Sequence, residues 1–137
     1  MKKRSKIILA VIGLVVMTAG VFFAKDLISV QRYQAAVKSI TYDNADASSI
    51  PDGTYIGECN VQYIYGKVEV SVANGIITKI ELLEHRHERG AAAEGIIKEI
   101  VAEQKIDVEE ISGATNSSRV IKKAVDNALS SAFMTQR

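Results

Sequence analysis

Four small residues, Ser112-Gly113-Ala114-Thr115, stand directly ahead of a helical pattern. Val120, Ile121, Ala124, Val125, Ala128 and Leu129 recur at i, i+1, i+4, i+5, i+8 and i+9, the stripe of one buried helix face. Lys122, Lys123, Asp126 and Asn127 are expected on the opposite, solvated face. Thr115, Asn116 and Ser117 are all N-capping types, so Thr115 is expected at the helix N-terminus. Orphan N–H groups and the helix dipole favour an anion there, a phosphate above all. The spacing alone leaves two readings open, an ordinary cap or a phosphate-bearing turn. As a nucleophile Thr115 would need a base. Glu109 and Glu110 are the nearest acids, and nothing marks either as one.

Other chemistry is thinly represented. His85 and His87, at i and i+2, could point the same way and share a metal, but no third ligand is in view, so no metal site is assigned. Cys59 is the only cysteine, which excludes an internal disulfide and any C-x-x-C motif; it reads as a small strand residue. No G-x-G-x-x-G or P-loop is present, and no Ser-His-Asp or Cys-His arrangement is visible. Lys plus Arg is 17 against 16 for Asp plus Glu, and Lys2, Lys3, Arg4 and Lys6 all precede the first apolar run. Beyond them the chain is net acidic, and no basic patch points to nucleic acid.

The elements that position these residues follow along the chain. After the basic tail 1–6, residues 7–24 carry no charge and as a helix would span roughly 27 Å, near the thickness of a hydrocarbon core. The positive-inside rule then places the tail in the cytoplasm and the rest of the protein outside. A cleaved signal peptide is the rival reading, but the run is long for one and its candidate cleavage sites are poor. Residues 25–50 read as a helical stalk and linker. Leu27, Val30, Tyr33, Val37 and Ile40 form a narrow seam, and Thr41–Ser49 has no periodicity. Pro51 marks the start of a domain over 51–135.

Within that domain, Gly53 and Gly57 punctuate a short strand and allow close backbone approach. A half-buried hairpin follows over residues 66–83. A three-residue loop, Ala73-Asn74-Gly75, would set Val72 opposite Ile76, Val70 opposite Thr78 and Val68 opposite Ile80. It would also pair Glu69 with Lys79 and Lys67 with Glu81, each pair worth up to about 1 kcal/mol. A two-residue Asn-Gly loop would put Val70 opposite Lys79, so the pattern selects the longer loop. Ala91–Gln104 reads as a helix with Ala93, Ile96, Ile97, Ile100 and Val101 on one face and Glu94, Lys98, Glu99 and Glu103 on the other. Gly95 suggests close packing. The expected fold is α+β: a small antiparallel sheet, a hairpin plus a short strand, packed with two helices and preceded by a transmembrane helix.

Several of these pieces together resemble one family. Asp52-Gly53-Thr54-Tyr55-Ile56-Gly57, the valine hairpin, the segment His85, His87, Arg89, Gly90, and Ser112-Gly113-Ala114-Thr115 with its helix are similar to the FMN-binding domain family over about residues 51–132. That family includes flavin-carrying subunits of sodium-pumping NADH:quinone reductase and of the Rnf complex. The resemblance implies FMN as cofactor, carried in many members through a phosphoester at the position of Thr115 and placed there by a flavin transferase. It implies a cofactor site of Ser112, Gly113, Ala114, Thr115 and Ser117, with His87 and Arg89 from the polar segment. Flavinylated members usually have Asp three residues before the Ser, where this chain has Glu109, with Asp107 further back. The function implied is an extracytoplasmic, membrane-tethered electron carrier between an unidentified redox donor and acceptor. The alternative is an adaptor or sensor that keeps the fold without flavin. A self-sufficient enzyme is disfavoured by the small domain.

Overall fold

The computed structural model describes residues 2–134. By its contacts the chain forms two compact units, the first ending at Ala35 and the second beginning at Ala36. A 37-residue helix, α1, runs Lys2–Lys38. It is long and apolar enough to cross a membrane. Its apolar side chains over residues 7–24, Leu9, Val15 and Phe22 among them, are exposed, while Val37 near its end is buried.

The second unit holds a three-stranded antiparallel sheet in the order β1-β2-β3, with β1 at Gly53–Val61, β2 at Ile64–Ala73 and β3 at Ile76–Arg86. A 3₁₀ turn at Ala91–Gly95 leads into α2, Ile96–Glu103, and α3 runs Thr115–Met134. One face of the sheet meets the helices, with α3 across β1 and β2, and α2 against β3. Val68, Val70 and Val72 from β2 join Ile77 and Ile80 from β3 in that core. Ile96 and Ile100 from α2, and Ile121, Val125 and Leu129 from α3, close it from the other side. The expected α+β architecture is therefore what forms.

The hairpin register differs from the expected one. Ala73 pairs with Ile76, so the loop is the two-residue Asn74-Gly75, both at positive φ (54° and 73°). That turn matches the right-handed strand twist, whereas the longer loop answers the charge and apolar pattern. Two bulges on β3 then restore the apolar pattern. Thr78 is extra between Ile77 and Lys79, and Leu83 is extra between Leu82 and Glu84. Val70 thus faces Ile80 and Val68 faces Leu82. Glu69 lies opposite Glu81, and neither expected cross-strand ion pair forms. Lys79 instead reaches along its own strand to Glu81, at 2.7 Å. The second bulge has a further effect: His85 pairs with Gly66, so it shares the inner face with Val68 and Val70.

Gln104 anchors the first bulge. It ends α2 at φ 56°, and its amide bonds both the N–H and the C=O of Ile77 at 2.8 Å. The expected helix over 91–104 is thus split, 3₁₀ then α, and the backbone around Gly95 is open rather than closely packed. Gly57 is where close packing does occur. A Cβ there would overlap the carbonyl oxygen of Ala124 and the nitrogen of Ala128, so β1 lies directly on the backbone of α3.

The segment read as a linker is docked. Ala47 and Ile50 are buried, and Tyr42 and Ala45 pack against the core. The N–H groups of Asp43 and Asn44 donate to the Asp126 carboxylate at 2.9 and 3.1 Å. The compact unit therefore starts ahead of Pro51. This strap also corrects the polar face expected for α3: Lys122 is 1 % exposed and Asp126 0 %. Each is compensated, as a buried charge must be. Asp126 also accepts from Lys123 Nζ at 2.7 Å.

Candidate functional site

Ser112 and Gly113 form a turn closed by the Ala114 N–H donating to the Ile111 carbonyl at 2.9 Å. Gly113 sits at φ 79° with open space around it, so its left-handed backbone, not crowding, is what requires glycine. Ser118 ties the turn to the helix. Its Oγ accepts from the Ile111 N–H at 3.0 Å, and its N–H donates to the Ala114 carbonyl at 2.9 Å. Thr115 is the first residue of α3 rather than its cap. The cap position falls to Ala114, which has no side-chain oxygen to offer the first-turn N–H groups. That end of α3 suits an external anion. Ser112, Gly113 and Thr115 are exposed, whereas Ala114, Ser117 and Ser118 are buried.

Ser117 links this turn to the histidine segment. Gly90 is packed so closely on it that a Cβ at Gly90 would overlap Ser117 Oγ. The Gly90 N–H donates to His87 Nδ1 at 3.1 Å, and the rings of His87 and His85 lie 4.4 Å apart. Of the residues expected at the site, Ser112, Gly113, Ala114 and Thr115 form one turn, and Ser117 joins it to His87 through Gly90. Arg89 is exposed and makes no hydrogen bond or ion pair among the described residues. Two contributors were not singled out from sequence, Ser118 as the tie of the turn and Glu94 beside His85 at 3.0 Å.

The approach to the turn is held by a buried cation. Lys122 Nζ donates to the Val108 carbonyl at 2.7 Å, lies 3.5 Å from Glu110 and 3.7 Å from Asp107, and sits 4.9 Å from the Tyr42 ring centre. Burial pushes the Glu110 carboxyl up, but Lys122 and then Arg119 outweigh it and hold the group below its ordinary value. Tyr42 is pushed up to about 12, by burial first and then by Glu110, so it stays a neutral phenol. Burial likewise raises the Cys59 thiol, which disfavours the thiolate form. Glu110 is engaged with Lys122 and Arg119, and no carboxylate or imidazole among the described residues hydrogen-bonds the Thr115 hydroxyl. Among the described residues, nothing beside Thr115 would activate its hydroxyl for forming a phosphoester bond.

The second unit is thus a small α+β domain with an exposed hydroxyl at the first residue of its longest helix. Residues 63–130 match the family described as the FMN-binding domain, and this part of the chain belongs to that family, with FMN as cofactor. The match spans β2 to most of α3 and leaves β1, with its Asp52-Gly53-Thr54-Tyr55 start, outside. A search of curated proteins found no match to the chain. The residues present fit the phosphate end of FMN: the open Gly113 backbone and the first turn of α3 would hold it, with Thr115 at the edge.

Proposed function

We propose that the chain is a membrane-anchored flavoprotein that carries FMN covalently on Thr115 for electron transfer. The observation carrying this reading is the place of the Thr115 hydroxyl: Ser112 is exposed too but lies in the turn ahead of the helix, so Thr115 is the exposed hydroxyl on α3's first turn. Thr115 is exposed at the first residue of α3, while Ser117 and Ser118 are turned into the domain. Attachment exchanges the Thr115 Oγ–H bond for an Oγ–P bond while the pyrophosphate P–O bond of FAD breaks and AMP leaves; the flavin transferase binds FAD and supplies the base that takes the proton, which this chain lacks. The resulting phosphodiester keeps one negative charge at the helix N-terminus, a placement worth about 0.3–1 kcal/mol. When bound, FMN supplies the redox chemistry, and the protein contributes orientation and electrostatics.

In this reading α1 anchors the chain in lipid, with its basic tail cytoplasmic and the domain outside, facing a redox donor and acceptor there. Protease added to intact spheroplasts should digest the domain; full protection until lysis would reverse the orientation. Attachment is tested on the full chain coexpressed with a flavin transferase. After denaturation the wild type should keep a fluorescent flavin band on a gel, and Thr115→Val should show none. Flavin lost from the wild type on denaturation would leave redox carriage without the covalent bond. No flavin at all, with transferase and FAD supplied, would replace the carrier by an adaptor.

A further inference from the structure

We propose that His85, His87 and Glu94 form a binding site for one divalent transition-metal ion of the zinc class. Each offers one ligand atom, and these atoms lie within 4.8 Å of one another. His85 Nδ1 is already 3.0 Å from Glu94 Oε1, close to the roughly 3.3 Å that separates neighbouring ligands around a tetrahedral zinc ion. Two imidazoles and one carboxylate are a ligand set that suits zinc and leaves a position open. The Glu94 side chain is about half exposed, which gives an ion a way in from solvent.

A second observation points to the same ring. The His85 side chain is 2 % exposed, and its Nε2 has no hydrogen-bond partner. Within the chain only Nδ1 of this buried imidazole has a partner, and the atom that would ligate a metal is that same Nδ1, with Nε2 left for a water. The fold places the ring there deliberately. The bulge at Leu83 turns His85 to the inner face opposite Gly66, which has no side chain to fill the space. His87 now uses Nδ1 to accept the Gly90 N–H, so ligation through that nitrogen exchanges the hydrogen bond for a coordinate bond. Ion binding would then release Gly90 where it abuts Ser117, coupling the metal to the first turn of α3.

The site shares His87 with the residues the resemblance implies for the cofactor, but its test needs no flavin. These are the only two histidines of the chain, and Cys59 is its only cysteine, so competing zinc ligands are few. Full-length protein in detergent, stripped with a chelator, is titrated with zinc chloride by calorimetry, with and without attached flavin. The wild type should take up one equivalent at micromolar or tighter affinity. His87→Gln and Glu94→Gln, both at the surface side of the cluster, should weaken binding at least ten-fold, and His85→Gln should abolish it. Circular dichroism checks that each variant is folded, and the two surface variants decide the matter if His85→Gln is not. Zinc bound only at millimolar concentration, or equal binding by His87→Gln and Glu94→Gln, would overturn the proposal.

Discussion

Helices α1 and α3 treat polar and apolar side chains in opposite ways. In α1, Leu9, Val15 and Phe22 stand exposed, Phe22 at 71 %. In α3, a lysine and an aspartate are sealed in, and the same helix presents Thr115 to solvent at its first residue. The difference lies in what covers each surface. Among the described residues nothing covers Leu9, Val15 or Phe22, and in the anchor reading lipid would cover them. The third helix is covered on two sides, by the sheet on its apolar stripe and by the strap and the 107–110 segment on its polar one. Composition therefore reports the solvent a helix expects, and burial reports what the rest of the chain lays over it.

That contrast can be broken most severely at Asp126. Asp126→Ala removes the acceptor of two strap N–H groups and the partner of Lys123, and should cost about 3–5 kcal/mol in denaturant unfolding of the domain. A change below 1 kcal/mol would mean that the strap is an ornament. Gly57→Ala should come next. The added methyl meets backbone, which cannot rotate away as a side chain can, so β1 must lift from α3 at a cost of about 1–3 kcal/mol.

A smaller effect is expected from acid. The folded-state carboxyl of Glu110 is held below its ordinary value, so its contribution is fully present above the unfolded value of about 4.3. It is lost as pH falls through the lower folded value. Glu110→Gln should flatten that acid limb of the stability profile, and an unchanged profile would mean that Lys122 does not depend on it. The smallest effect belongs to α1: Leu14→Ala, at an exposed apolar site, should leave unfolding of the domain unchanged. A measurable shift there would erase the distinction between the two helices.

Sequence pattern reads well where one periodic element meets one partner. The stripe Val120, Ile121, Ala124, Val125, Ala128, Leu129 is buried throughout, as its spacing requires. The opposite face was misjudged because its cover, Tyr42–Asn44 and Asp107–Glu110, is aperiodic and, for the strap, far away in sequence. The hairpin shows a similar limit. Its strands and inward valines were legible, but its register was not, because bulges at Thr78 and Leu83 let a two-residue turn keep the apolar pattern. At the candidate site, the turn at Ser112–Thr115 was legible from small residues ahead of a helix. The contact of Gly90 with Ser117 and the approach of Glu94 to His85 join separate elements, and no local spacing encodes them.

The most direct test of the flavin reading is to locate the modification in the chain. Trypsin should release residues 106–119 as one peptide, bounded by Lys105 and Arg119, with Ser112, Thr115, Ser117 and Ser118 as its hydroxyl residues. The full-length protein coexpressed with a flavin transferase is digested, and the flavin is placed by fragment masses. The account predicts a single flavin phosphate on Thr115. Flavin on Ser112, Ser117 or Ser118, or an unmodified peptide from protein supplied with both transferase and FAD, would contradict it.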